Sequence, residues 1–156
     1  MRHRVVVVGG GFGGLQAARQ LARAPVEVTL IDRRNFHLFQ PLTYQIATGA
    51  LGPGEVAYPL RAVFKRHRNV RVLMEEVTGF DLDSRRVLLG ADSVPYDTLI
   101  VAGGSSYSYF GHEEWRELAP EVKSLESALE MRGRLLAAFE QAEVEPDPER
   151  RRALLT

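Results

Sequence analysis

The stretch VVVVGGGFGGLQAARQLA, residues 5–22, constrains the fold more than any other part of this 156-residue chain. A Val-rich apolar run over 4–8 meets five glycines within residues 9–14, and a helical pattern follows over 13–24. Leu15, Ala18, Leu21 and Ala22 recur on one helical face. Pro25 stands beyond them as a stop signal. VEVTLI, residues 26–31, is rich in β-branched residues and is expected to be a second strand. A strand, a turn, a helix and a strand within about 30 residues make the repeating unit of a parallel sheet covered by helices. The fold class expected is therefore α/β: a Rossmann-like, three-layer arrangement with a parallel sheet and a small antiparallel β element.

Gly9, Gly11 and Gly14 form GxGxxG between the first strand and the helix, and Asp32 follows the second strand. Gly9 permits the tight turn, Gly11 lets a pyrophosphate approach bare backbone, and Gly14 lets the helix pack close to the strand. The unpaired N–H groups and positive end of the helix favour a bound anion. The Asp32 carboxylate can accept from ribose hydroxyls, each such bond contributing about 1.5–3 kcal/mol. Gly10 and Gly13 add flexibility but little specificity. The turn points to an adenine dinucleotide, and NAD and FAD both use it.

The rest of the chain is less regular. Residues 33–58 combine aromatics, prolines and glycines without a steady period, as in an irregular functional segment. A short helix is expected over 59–67, and two or three short strands over 69–90. DTLIVAGG, residues 97–104, repeats the opening pattern of an apolar strand running into glycines. Residues 124–143 are expected to be helical, with Ser127 and Glu130 at capping-box spacing and a stripe of Leu125, Ala128, Leu129, Leu135, Leu136 and Phe139. EPDPERRR resembles a linker, and the closing ALLT the first residues of another strand.

Composition narrows the function classes. There is no cysteine, which excludes disulfide scaffolds, cysteine metal sites and thiol chemistry within these residues. Formal net charge is zero, so the total implies no strong attraction to nucleic acid or membrane. The distribution is uneven: residues 1–78 carry 11 basic against 5 acidic side chains, and residues 79–156 carry 9 against 15. MRHR before VVVV imitates the start of a signal peptide, but the apolar run is too short and no cleavage site follows. No run approaches the roughly 20 apolar residues of a membrane span. A cytoplasmic chain is expected. The four histidines lack paired ligands at metal spacing, so no metal site is assigned.

The order of elements after the second strand is similar to the FAD-binding half of the two-dinucleotide flavoprotein reductases. VVVVGGGFGGLQAARQLA, VTLIDRRNFHLFQPLTYQIATGAL, EVAYPLRAVF, MEEVTGFDLD and VPYDTLIVAGGSSYSYFG together resemble type II NADH dehydrogenases. Members of that family pass electrons from NADH to a quinone and belong to the pyridine nucleotide-disulfide oxidoreductase superfamily. The resemblance implies FAD as cofactor and NADH and quinone as partners of the intact enzyme. It implies that Gly9, Gly10, Gly11, Phe12, Gly13 and Gly14 line the FAD pyrophosphate. Asp32 would hold the adenosine ribose and Arg33 cover the adenine side. Gln40 and Pro41 would lie near the flavin end, and Val77 would offer its backbone to the adenine. Ala102, Gly103 and Gly104 would form a second close backbone approach, where many relatives carry Ala-Thr-Gly.

By the same resemblance, residues 1–145 are expected to be the N-terminal portion of an FAD-binding domain. Residues 146–156 would be the linker and start of an NADH-binding domain, making the chain a segment of a longer enzyme. The intact enzyme would be peripheral on the cytoplasmic face of the membrane. No catalytic acid or base is assigned. Absent cysteines argue against disulfide-reductase relatives. A ferredoxin-reductase-type flavoprotein, an NAD(P)-binding Rossmann domain and a non-catalytic remnant remain alternative readings. His37 is read as a loop histidine satisfied by backbone, and Arg61, Lys65, Arg66, Arg68 and Arg71 as a solvated basic face rather than a lipid or nucleic-acid surface. Trp115, Tyr107 and Tyr109 either cover the flavin or pack under a loop.

Overall fold

The computed structural model describes residues 2–156. In chain order its elements are β1 (His3–Val8), α1 (Phe12–Leu21), β2 (Val26–Asp32), β3 (Phe36–Leu38), a 3-10 turn (Gln40–Leu42), α2 (Thr43–Ala47), α3 (Pro53–Val56) and β4 (Ala57–Pro59). There follow α4 (Leu60–Phe64), β5 (Val70–Met74), β6 (Gly79–Asp81), β7 (Arg86–Leu89), β8 (Asp92–Pro95), β9 (Thr98–Val101), α5 (Trp115–Leu118), α6 (Leu125–Val144) and α7 (Pro148–Leu154). The chain divides into two units. The first comprises the chain up to His37 with Tyr58–Ser105, and the second comprises Leu38–Ala57 with Ser106–Thr156.

The first unit is built on a parallel sheet of order β5-β2-β1-β9. Val5–Val8 of β1 pair with Val28–Ile31 of β2 on one side and Thr98–Val101 of β9 on the other. β2 continues to β5, with Asp32 opposite Met74. Both faces of the Val5–Val8 stretch of β1 are covered, which is why that stretch is apolar at every position rather than alternating. Val5, Val7, Val28 and Leu30 pack with Leu15 and Ala18 of α1 and Leu60 and Phe64 of α4. The alternate residues, Val6 and Ile31 with Val8, Leu73 and Leu99, pack with Val87, Val94 and Tyr96 of the antiparallel β6-β7-β8 sheet and its flank. Helices, parallel sheet and antiparallel sheet are thus three layers, as the sequence pattern implies.

The second unit is helical. Ile46 and Ala47 of α2 and Val56 of α3 pack on Ala128 of α6, with Leu42, Leu51, Leu125 and Met131 around them. Thr43 is buried and its hydroxyl bonds the Gln40 and Val122 carbonyls at 2.9 and 2.6 Å. Residues 38–57 are therefore an ordered helical segment rather than an irregular loop. Their helices are too short for a 3.6-residue period to emerge, and α6 supplies the packing that fixes them.

Three further differences have local causes. The cap of α6 is Ser124, whose Oγ accepts from the Ser127 N–H at 3.1 Å, while the Ser124 N–H donates to Ser127 Oγ at 3.2 Å. Ser127 is thus the partner inside the helix and not the cap. Leu125, Ala128 and Met131 turn inward, whereas Leu129, Leu135, Leu136 and Phe139 are exposed. Residues 148–154 form α7 where a linker leading into a strand start is expected: Asp147 caps it by accepting from the Glu149 N–H, and Pro148 occupies the first turn. Among the described residues no helix is long and apolar enough to cross a membrane.

Candidate functional site

The carboxyl ends of β1, β2 and β9 bring most of the sequence-derived residues together. In the sheet order, the chain runs outward from β1 to β2 and β5 and then crosses back to β9 on the other side of β1, so the loops after β1 and β9 lie where the strand order reverses, the position at which open α/β sheets bind ligands. The Ala102 N–H donates to the Val8 carbonyl at 2.7 Å, tying the two loops side by side. The Gly9 N–H donates to the Ile31 carbonyl at 2.8 Å, tying the first loop to β2.

The glycines divide by what surrounds them. Gly9 has φ of +103°, and a Cβ there would lie 2.2 Å from the Ala102 oxygen. At Gly14 a Cβ would lie 1.8 Å from the Gly9 oxygen, so the first turn of α1 rests directly on the glycine loop. Gly10 is also buried: its added Cβ would meet Leu60 Cδ1 at 2.5 Å and Asp32 Oδ2 at 3.3 Å. The expectation that Gly10 contributes only flexibility is thereby corrected, since the contacting groups come from β2 and α4. Gly11 is the opposite case, with nothing within 4 Å of its added Cβ. Gly103 and Gly104 likewise face open space, while Gly13 lies near Ala102.

Asp32 faces the loop. Its Oδ2 accepts from the Gly10 N–H at 2.5 Å and its Oδ1 from the Arg34 N–H at 2.7 Å. Each oxygen retains acceptor capacity, so the carboxylate is held by backbone donors and can still take a hydroxyl. The Glu75 N–H donates to the Asp32 carbonyl at 3.0 Å, drawing the segment after β5 past the acid. Val77 lies on that segment, its side chain packed with the core shared by the two sheets. Arg33 is exposed.

Helix α1 begins beyond Gly11 without a side-chain cap and without an acidic residue in its first turn. Its leading amides therefore present positive potential that no carboxylate of the helix offsets. Phe12 stands half exposed over this end, with its ring edge-on to His37 at 5.0 Å. His37 Nδ1 lies 3.0 Å from the Gly10 carbonyl, in agreement with a loop histidine satisfied by backbone. Composition carries no signal for this pairing, and it adds a second clamp on Gly10. Asn35 Oδ1 is a buried side-chain oxygen without a hydrogen-bond partner, three residues beyond Asp32.

These features fit a dinucleotide: a loop with no side chain over Gly11, an uncapped helix end, and an acid oriented by backbone N–H groups. Gln40 and Pro41 are exposed on the 3-10 turn, which belongs to the second unit. Tyr109 is buried and donates to the Ala119 carbonyl at 2.9 Å, with Tyr107 edge-on at 4.7 Å and Trp115 stacked on His112. Tyr109 thus packs under its own loop, while Tyr107 and Trp115 are about half exposed. Among the described residues no cluster of three or more His, Asp or Glu side chains is placed to hold a metal.

Comparison with known proteins agrees with this geometry. A family model described as pyridine nucleotide-disulphide oxidoreductase matches residues 3–144. The type II NADH:quinone oxidoreductase Ndh of Mycobacterium tuberculosis is 55% identical over 99% of this chain, which spans 34% of that protein. Among solved structures, the sulfide:quinone oxidoreductase of Aquifex aeolicus is 28% identical with a TM-score of 0.80, covering 88% of this chain and 32% of its own. NDH2 of Plasmodium falciparum in complex with NADH shares the fold at a TM-score of 0.85 and 22% identity, over 97% of this chain and 32% of its own. The chain thus spans about a third of the length of each, and across nearly all of that span it belongs to the pyridine nucleotide-disulphide oxidoreductase family.

Proposed function

We propose that this chain is the FAD-binding segment of a type II NADH:quinone oxidoreductase. The observation that carries the reading is the Gly10 N–H to Asp32 bond beside the open Gly11 position, at the head of a helix with no side-chain cap. The identity to the mycobacterial enzyme supports it. Gly9–Gly14 would hold the pyrophosphate through backbone N–H groups, and Asp32 the ribose hydroxyls. Phe12 and Arg33 would flank the nucleotide, Val77 would offer backbone to the adenine, and Ala102–Gly104 would form the second backbone approach. Gln40 and Pro41 would serve the flavin end.

When bound, FAD supplies a ring that accepts hydride from NADH and releases electrons to quinone, chemistry that belongs to the cofactor. The residues of this segment bind and orient, and none is assigned a proton-transfer role. Residues 1–145 are proposed as part of the FAD-binding domain, and residues 146–156 as the link towards an NADH-binding domain. The intact enzyme is proposed to work at the cytoplasmic face of the membrane.

The test is titration of the purified chain with FAD, followed by flavin fluorescence, with NAD as competitor. The expected result is FAD binding that Asp32→Ala weakens by about 1.5–3 kcal/mol. Preference for NAD would favour a nicotinamide-binding Rossmann domain instead. Absence of binding to either nucleotide in both forms would favour a non-catalytic remnant.

A further inference from the structure

At the other end of α1, away from the glycine loop, a cavity of about 280 Å³ is lined by Arg19, Arg23, Val63, Phe64 and His67. Arg19 is in the last turn of α1 and Arg23 lies one turn further along the chain. His67 follows α4. None of the three has a carboxylate partner: the ion pairs among the described residues include Arg4–Asp97, His112–Glu114, Arg116–Glu113 and Arg150–Asp147, and none reaches this cavity.

A bland account would assign the two arginines to the carbonyl end of α1, where cations offset the helix dipole. The carbonyls there are already bonded by neutral groups. Ala22, Arg23 and Ala24 N–H groups turn back onto the Ala18, Gln20 and Leu21 carbonyls. The Asn69 side-chain amide adds bonds to the Leu21, Ala24 and Val26 carbonyls at 3.4, 3.3 and 3.1 Å. The guanidinium groups are thus not needed as caps, and a dipole argument does not explain why a histidine from another element joins them.

The walls are fixed. Asn69 ties the end of α1 to the α4–β5 connection, and the His67 and Val70 N–H groups close that connection onto Phe64 and His67. Phe64 is buried and meets the His67 ring edge-on at 6.2 Å. Two arginines and a histidine lining one cavity offer guanidinium and imidazole donors of the kind suited to a tetrahedral oxyanion. A water occupies about 30 Å³, so the cavity admits such a group with part of what carries it, against the apolar Val63 and Phe64 wall.

We propose that Arg19, Arg23 and His67 form a second anion site that binds a phosphate group, separate from the glycine loop. The ligand is either a soluble organic phosphate or the phosphate of an anionic lipid headgroup. The site is independent of the FAD reading.

The test follows backbone amide resonances of the isotope-labelled 156-residue chain during titration with pyrophosphate. Saturable shifts at Arg19, Arg23 and Phe64–His67 are expected. The Arg19→Gln/Arg23→Gln double variant, both side chains being exposed, should keep its fold and its FAD titration while losing about tenfold or more in this affinity. In parallel, sedimentation with phosphatidylglycerol and phosphatidylcholine vesicles separates the sources. Binding to phosphatidylglycerol that the double variant loses assigns a lipid headgroup. Pyrophosphate binding with equal sedimentation of both forms assigns a soluble phosphate. Shifts confined to Gly9–Gly14, or equal affinity of wild type and double variant for both probes, would overturn the site.

Discussion

The two ends of the parallel sheet are built on opposite terms. At the amino end, the polar groups that tie the strands and helices together are paired with each other, beside Arg19, Arg23 and His67, which have no carboxylate partner among the described residues. Arg4 donates from its N–H, Nε and Nη2 to the Asp97 carboxylate at 2.8, 3.1 and 2.8 Å, tying β1 to the start of β9. Asn69 similarly ties the end of α1 to the start of β5. At the carboxyl end the backbone is packed tightly at Gly9, Gly10 and Gly14 but open at Gly11, Gly103 and Gly104, and α1 starts without a side-chain cap. Satisfied polar groups hold the structure together, whereas groups left available at a rigid edge are what a ligand can use. Fold and function are therefore separable by residue, even within one glycine loop.

Substitutions can break or sharpen that contrast. The largest effect is expected for Gly14→Ala, since the methyl would overlap the Gly9 oxygen and lift α1 from the loop. A loss of about 3 kcal/mol or more in unfolding free energy is expected by urea denaturation. A loss under about 1 kcal/mol would show that the helix start yields more easily than the contact implies. Asn69→Ala comes next, at about 1–2 kcal/mol, because two amide hydrogens serving three carbonyls are removed. Gly11→Ala sharpens the comparison from the other side. Its methyl meets nothing, so stability should change by no more than about 1 kcal/mol, the difference between Gly and Ala at a helix cap. FAD affinity should nevertheless fall, and unchanged affinity would remove Gly11 from the binding surface.

The smallest effect concerns pH. Hydrogen bonds from the Arg4 side chain, then from its backbone N–H, hold the Asp97 carboxyl well below the usual carboxylate range. A group depressed on folding contributes stability that is fully present above its unfolded value of about 3.9 and is lost as pH falls through the folded value. Thermal melting of the wild type should therefore decline below about pH 4, and in Asp97→Asn that part of the decline should be missing. Parallel acid limbs for the two proteins would mean that the pair is not formed in solution.

What could be read from the residues alone follows the range of the interactions. The strand, glycine turn, helix and strand over residues 3–32 depend on neighbours in sequence, and so do the positive φ of Gly9 and the contact of Gly14 with the Gly9 oxygen, whereas the Ala102 oxygen that also crowds Gly9 is remote. The packing of Gly10 is not legible in its neighbours, because Leu60, Asp32 and His37 decide its environment and none is local to it. Residues 38–57 lacked a period because α2 and α3 together hold only nine residues and α6 orders them. The Asp147-Pro148 start of α7 carried a legible cap signal that the proline-rich context obscured. That Arg19, Arg23 and His67 line one cavity cannot be read from the residues alone, since more than forty positions separate the arginines from the histidine along the chain.

Because a methyl at residue 14 has no room above the Gly9 oxygen, substitution in this loop is barred there, as it is at Gly9, and has room a few positions earlier, at residue 11. Under the proposed function, nucleotide retention can then be tuned at residue 11 and around Asp32 without disturbing the packing of α1. The contact beneath the helix thus acts as a fixed datum against which the rest of the loop is free to vary.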